Sequence, residues 1–189
     1  MVTENFIKEN AGVKIVNIDT LNISIGSGLI VIKALEYIEE GKDFDEIVEL
    51  IQKDIKRSRV FFAIPTLKYL VRGGRIGKVS ATIGELLKVK LIISVDNEGV
   101  YYTVCKARGI KKAYEKVFEE FLRFIGNKEF FAAVYVSGND DSVKEVQKKY
   151  LEKIKLMENC RKIFEGKISS TLTVHTGSGL FGIGSLLIE

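Results

Sequence analysis

Tryptophan is absent from the 189 residues, proline and histidine occur once each (Pro65 and His175), and cysteine occurs twice. One histidine and two distant thiols, Cys105 and Cys160, cannot supply a standard zinc shell or a paired redox motif. Both thiols are expected to be reduced and buried. No apolar run approaches the ~18 residues that a membrane-spanning helix needs. The opening residues, MVTENFIKENAG, lack the basic start and apolar run of a secretory signal, so a cytoplasmic protein is expected. Lysine and arginine total 29 against 25 acidic residues, and a net charge of +4 without basic runs argues against a nucleic-acid partner. The acids fall mostly on helix faces, as in Glu115/Glu119/Glu120 and Glu145/Glu152, which disfavours a catalytic carboxylate pair.

What is present is enough apolar material, 46% of residues against 29% charged, to bury a real core. Val13–Ile18 reads as a buried strand, Asn22–Gly28 as a glycine-bearing loop, and Leu29–Ile38 as a helix apolar nearly all round. Such a helix must be sandwiched between layers or meet a ligand. Gly41 closes it, and Asp43 with Glu46 caps a second helix whose buried stripe is Phe44, Ile47, Ile51 and Ile55. Arg59–Ile64 reads as a strand ended by Pro65, and Thr66 and Ser80 as caps of short helical segments. Leu91–Val95 and Val100–Lys106 flank Asp96-Asn97-Glu98-Gly99 as a hairpin. A helix follows to Ile125 with Ala113, Val117, Phe121 and Ile125 inward, then a strand over Phe130–Val136 and a lysine-rich helix to about Leu156. Arg161–Phe164 and Ile168–Val174 read as the last strands. Alternating strands and helices with one hairpin predict an α/β to α+β fold with a mixed sheet.

Three places could carry chemistry. Arg72-Gly73-Gly74-Arg75 follows an apolar helical turn, so the glycines can form a left-handed cap that leaves helix carbonyls beside two guanidiniums. Arg72, Arg75, Lys78, Lys106, Arg108, Lys111 and Lys112 would share one basic surface if the hairpin folds back on this turn, with Arg108 exposed for contact. His175 precedes Gly177-Ser178-Gly179, a turn able to present amides to an anion. His175 then either donates to a carboxylate or phosphate, or is a histidine satisfied by backbone in a tight turn. Ser24-Ile25-Gly26-Ser27-Gly28 is a second candidate anion loop, although close helix–strand packing is the commoner reason for such glycines and no Walker lysine follows.

Leu67-x-x-Leu70 followed by Arg72-Gly73-Gly74-Arg75-Ile76 resembles the signature of the DegV family of bacterial lipid-binding proteins. Leu86-Leu87-x-x-Lys90, Lys106-Ala107-Arg108-Gly109, His175-Thr176-Gly177-Ser178-Gly179, and Asp19-Thr20 with Ser24, Gly26 and Gly28 are similar to its other segments, in the same order. Leu91 and Thr20 stand where that family often has proline and serine. The resemblance implies a two-domain architecture with a mixed-sheet C-terminal domain (59–189). Residues 1–58 would be what remains of the N-terminal α/β domain, about the first third of the usual chain being absent. It further implies a non-enzymatic carrier that buries a long-chain fatty acid as ligand, takes no cofactor, and offers the carboxylate to a separate ATP-binding fatty acid kinase subunit in phospholipid metabolism. The lipid site would then comprise Ser24, Gly26, Gly28, His175, Thr176, Gly177, Ser178 and Gly179, with Arg72, Arg75 and Arg108 as a basic rim or partner contact.

Two other readings compete. The exposed half of a shortened first domain would act as an interaction or remnant module, associating with itself or another chain through unpaired edges. Alternatively Ser27 or Ser178 with His175 would form a hydrolase site, against which stands the lack of a Gly-x-Ser-x-Gly elbow.

Overall fold

The computed structural model describes residue 6 and residues 12–79 and 89–188. The expected Ser80 cap and the Leu86-Leu87 pair lie outside the described residues. Six described strands build one mixed sheet: β1 (Ser58–Ala63), β2 (Val89–Val95), β3 (Tyr101–Arg108), β4 (Glu129–Val136), β5 (Cys160–Lys167) and β6 (Phe181–Ile188). Their order is β3-β2-β1-β6-β4-β5, with β4 and β5 parallel and the other neighbours antiparallel. The helices are α1 (Ile25–Glu39), α2 (Phe44–Arg57), α3 (Lys68–Arg72), α4 (Ile110–Ile125), α5 (Asp141–Lys155) and α6 (Ser170–Thr176).

Strand alternation sends successive side chains to opposite faces, and each face is apolar enough to need a cover. On one face Phe61, Phe181 and Ile183 pack with Phe121 of α4 and Ile154 of α5. On the other, Phe62, Ile93 and Leu186 pack with Ile25 and Leu29 of α1. The inward stripe of α4 is as its spacing predicts, with Ala113, Val117, Phe121 and Ile125 all buried and the Phe121 ring edge-on to Phe130 at 5.4 Å. Asp43 accepts from the Glu46 amide at 2.9 Å, the expected cap of α2.

β6 has no counterpart among the expected strands, because two glycines interrupt its apolar pattern, yet it lies near the middle of the sheet. Those glycines have a packing cause. A β-carbon at Gly184 would lie 2.8 Å from Ile25 Cγ1, and one at Gly182 would lie 3.2 Å from Phe62 Cβ. Bare backbone there lets α1 settle directly on the sheet.

Five expectations are corrected. Residues 13–18 are not a strand, since no described strand lies beside them to complete a ladder, and Val13 and Val16 are exposed. The supposed loop through Gly28 is already helix from Ile25. No part of 168–174 is a strand: β5 ends at Lys167 and α6 begins at Ser170, because Ser169 caps it and accepts from the Leu172 amide at 3.4 Å. Phe44 is exposed rather than inside, with Lys14 over its ring, and both cysteines are half-buried free thiols rather than fully buried ones.

The hairpin turn is held by Asp96, whose Oδ1 accepts from the Glu98 and Val100 amides at 2.9 and 3.0 Å while Oδ2 meets Lys78 at 2.8 Å. The Lys78 ammonium and the Val100 amide hold its carboxyl down to about 2 from an ordinary 3.8. A depressed carboxylate pKa contributes stability that is complete above the ordinary value and lost as pH falls through the folded one. Asp96→Asn is therefore expected to flatten the stability profile between pH ~4 and ~2 while leaving it unchanged in shape at neutral pH, read by thermal melts across that range. Gly184→Val should push Ile25 off the sheet and cost roughly 1–3 kcal/mol in urea unfolding.

Candidate functional site: an apolar cavity beside the histidine turn

Of the two glycine-bearing segments, Arg72–Arg75 and His175–Gly179, the first ends α3 with a complete Schellman cap. The Gly74 amide donates to the Val71 carbonyl at 3.1 Å and the Arg75 amide to the Leu70 carbonyl at 2.9 Å. The two glycines serve different needs. Gly74 takes the left-handed conformation at φ 67°, whereas Gly73 remains right-handed at φ −81°. Gly73 is small for another reason: a β-carbon there would lie 2.4 Å from His175 Nδ1. The imidazole of the second segment thus rests on the backbone of the first, and two stretches a hundred residues apart form one corner.

The second segment is anchored by a residue that sequence reasoning passed over. Ser137, fully buried at the end of β4, donates through Oγ to the Gly177 carbonyl at 2.7 Å and accepts from the Leu180 amide at 2.8 Å. Its own carbonyl accepts from the Gly179 amide at 3.0 Å. The Gly177 amide is turned back to the Thr173 carbonyl at 2.7 Å, ending α6. Amides that the Gly-x-Gly pattern seemed to offer an anion are therefore engaged inside the protein at Gly177 and Gly179. Ser178 is exposed, and Tyr114 donates to the Gly179 carbonyl at 2.5 Å from the opposite side of the turn. Burial pushes the Tyr114 phenol up to about 12, so it remains a donor across the physiological range.

Between α1, α6 and the sheet lies a narrow apolar cavity of about 40 Å³. Ile25, Phe62, Ile168, Leu172 and Leu180 make much of its wall, and Ser24, Thr176, Tyr101 and Tyr135 bring the hydroxyls. Thr176 Oγ1 lies 3.2 Å from the Leu172 carbonyl and 3.3 Å from that of Gly177, so its proton is turned to backbone and its lone pairs remain. Burial raises the Tyr101 phenol above its ordinary value, keeping that wall uncharged. Ser24 is held at φ 52°, a conformation rare outside glycine, and its side chain makes no cap bond to α1. Strain of this kind persists where surrounding structure fixes it, and it is concentrated at functional sites.

The expected site residues separate into groups. Ser24 and Thr176 line the cavity, and His175 sits next to Thr176 against Gly73. Gly26 lies inside α1 because a β-carbon would meet Asn22 Oδ1 at 2.1 Å, and its amide donates to the Ile23 carbonyl. The Gly28 amide donates to the Ser24 carbonyl. Gly26 is therefore closely packed, against the Asn22 side chain rather than against a strand. The basic residues diverge. Arg75 borders a groove that shares Ile23 and Tyr101 with the cavity. Arg72 faces a different groove with Lys68, Val89 and Lys90, and Arg108 stands exposed opposite Val89 in the β2–β3 ladder. Lys78 leaves the basic surface by pairing with Asp96 and Glu98, and Lys112 by pairing with Glu115. Among the described residues neither Ser27, which pairs with Thr20 Oγ1 at 2.8 Å, nor Ser178 hydrogen-bonds His175, and no cluster of three or more acidic, histidine or cysteine side chains is placed to hold a metal. No described helix is long and apolar enough to cross a membrane.

Comparison with known proteins finds that a family profile described as an uncharacterised protein of the DegV family matches residues 3–187. A DegV domain-containing protein of Clostridium acetobutylicum is 41% identical over 165 residues, covering 87% of this chain and 58% of the relative. A second from the same organism is 39% identical, covering 93% and 61%. Among solved structures, a fatty acid-binding DegV family protein from Thermus thermophilus superposes with a TM-score of 0.84 at 28% identity, covering 98% of this chain and 65% of that one. A fatty acid-binding DegV family protein from Streptococcus agalactiae gives 0.81 at 26%, covering 98% and 64%. The chain thus spans about three-fifths of the length of the curated relatives it matches.

Gly73→Ala tests the corner directly. The added methyl should displace the His175 ring, moving the imidazole resonances in a heteronuclear NMR spectrum, while Gly74→Ala should mainly lower stability by roughly 1 kcal/mol through its left-handed φ.

Proposed function

The chain belongs to the DegV family, and on that premise we propose that it binds a long-chain fatty acid in the cavity between α1, α6 and the sheet. The observation that carries this is the cavity itself, walled by Ile25, Phe62, Ile168, Leu172 and Leu180 and bordered by the hydroxyls of Ser24 and Thr176. Hydrocarbon burial supplies affinity at about 0.8 kcal/mol per methylene, so a mostly apolar wall suffices for the tail. The carboxylate faces the Ser24–Thr176 end, where the hydroxyl lone pairs, the His175 ring nearby and the Arg75 guanidinium in the adjoining groove give the only polar and positive surroundings we assign to it. Because the Gly177 and Gly179 amides are engaged, side chains rather than loop backbone fix the head group.

In this reading the protein is a cytoplasmic carrier, not a catalyst. Its cargo is presented to a separate ATP-binding kinase subunit, and Arg72 and Arg108, exposed toward the open end of the β2–β3 hairpin, are the contact for that partner. Support for the carrier role comes from the Thermus and Streptococcus proteins, both described as binding fatty acid. The kinase contact rests on the placement of the two arginines.

An organic extract of the purified protein should contain a fatty acid by mass spectrometry, and delipidated protein should rebind one. Leu172→Asp, which puts a charge on the cavity wall, should weaken binding at least ~10-fold, since an unpaired charge in an apolar site is costly. Arg75→Ala should weaken it less, and Arg72→Ala should leave lipid affinity unchanged. Delipidated wild-type protein that takes up no fatty acid would remove the proposal.

A further inference from the structure

Among the described residues, the non-glycine residues with positive φ are Leu21 at 48° and Ser24 at 52°. Both lie in the stretch that leads into α1. Ser24, with ψ −120°, is the first central residue of a turn closed by the Gly26 amide on the Ile23 carbonyl at 3.0 Å. That is type II′ geometry, whose first central position glycine ordinarily fills. A serine there strains the backbone, and its hydroxyl does not offset this by capping the helix, since it makes no cap bond. The hydroxyl lies instead on the cavity wall, as does that of Thr176.

The strained turn is held by one buried side chain. Ser58, the first residue of β1 and 2% exposed, accepts through Oγ from Asn22 Nδ2 at 3.2 Å and donates to the Gly26 carbonyl at 3.1 Å. Its two partners stand on either side of Ser24. Asn22 has no freedom to swing toward α1, because its amide group fills the place a Gly26 β-carbon would take. Asn22 Oδ1 also accepts from the Ile23 amide at 2.9 Å, and the Ser24 carbonyl accepts from the Gly28 amide at 2.9 Å. A hydroxyl on β1 thus closes a ring around residues 22–26, with Ser24 at its centre. The Thr20–Ser27 hydroxyl pair ties the same stretch at 2.8 Å but involves neither Asn22 nor Gly26.

We propose that Ser58 is a positioning residue of the lipid site. Through Asn22 and Gly26 it keeps Ser24 in a conformation that glycine ordinarily takes, and so keeps the Ser24 hydroxyl on the cavity wall before any ligand arrives. A donor fixed in advance avoids the ordering cost at binding. A carboxylate profits most, because hydrogen bonds to a charged acceptor are the stronger ones. The inference rests on the fatty acid reading above, and it adds that head-group selectivity is set from β1 by a residue that does not line the cavity.

The test titrates delipidated protein calorimetrically with stearic acid and with stearyl alcohol, which share a tail and differ in the head group. Wild type should favour the acid by about tenfold or more. Ser58→Ala and Asn22→Ala, which break the ring at different bonds, should each remove most of that preference while leaving the alcohol affinity unchanged. Ser24→Ala should do the same, and adding Ser58→Ala to it should change nothing further, because residues acting as a unit are non-additive. Wild type without an acid preference overturns the proposal. So does a Ser58→Ala protein that keeps the preference or loses acid and alcohol affinity in equal proportion. A second arm needs no lipid. Ser24→Gly should relieve the strain and raise the melting temperature by roughly 2–4 °C. That gain should vanish in Ser58→Ala, where Ser24 is already free to relax, and a gain that persists there in full overturns the clamp. Wild-type protein that binds neither lipid, with the gain lost as expected, removes the fatty acid reading and the lipid role of Ser58 with it, while the clamp on Ser24 stands.

Discussion

The contact between Ile25 and the bare backbone of Gly184 positions much else in the molecule. It brings the first turn of α1 down onto the central strand β6, and that turn carries Ile23, Ser24 and Ile25 into the cavity wall. A helix held a side chain's thickness further away would widen the cavity beyond a narrow slot and separate Ser24 from Thr176. The same approach removes Leu29 from water on one face and leaves Val31 on the other. Cavity shape and the one-sided burial of α1 are consequences of one close approach.

The corner of the site is built by division of labour. Gly74 solves a backbone problem, the reversal after α3, and Gly73 solves a steric one, room for the His175 ring. Ser137 then holds the turn after α6 from below, on the end of β4. Arg75 stays close to this corner, while Arg72 and Arg108 look elsewhere. One motif therefore feeds two surfaces, and a substitution in it can affect one without the other.

Much of this was legible beforehand. The periodicity of α4, the Asp43 cap, the hairpin around Asp96 and the buried strand β4 follow from local pattern, and each stands where that pattern put it. Misreadings arose where tertiary partners decide. Val13–Ile18 has strand composition but no neighbouring edge among the described residues, and composition cannot report a partner. Thr171, Thr173 and Val174 are β-branched, yet Ser169 and two threonine hydroxyls bonded back along the chain make the stretch helix. β6 was hidden because its glycines answer to Phe62 and Ile25, residues remote in sequence. The histidine turn was found by its glycines, although the function first assigned to its amides is taken by Ser137 and Thr173. Ser137 itself gave no signal beyond ending an apolar strand.

The Ser137 anchorage has a consequence for traffic. The turn from Gly177 to Leu180 is hydrogen-bonded to β4 and runs straight into β6, two strands in the interior of the sheet. Opening the cavity on that side would mean parting these strands, an event near the cost of global unfolding. The Ser24 side is pinned in the same manner: buried Ser58 on β1 donates through Oγ to the Gly26 carbonyl at 3.1 Å and accepts from Asn22 Nδ2 at 3.2 Å. Both flanks of the cavity are thus held by a buried serine hydroxyl next to or on an interior strand, and the cavity can widen only where those bonds give way.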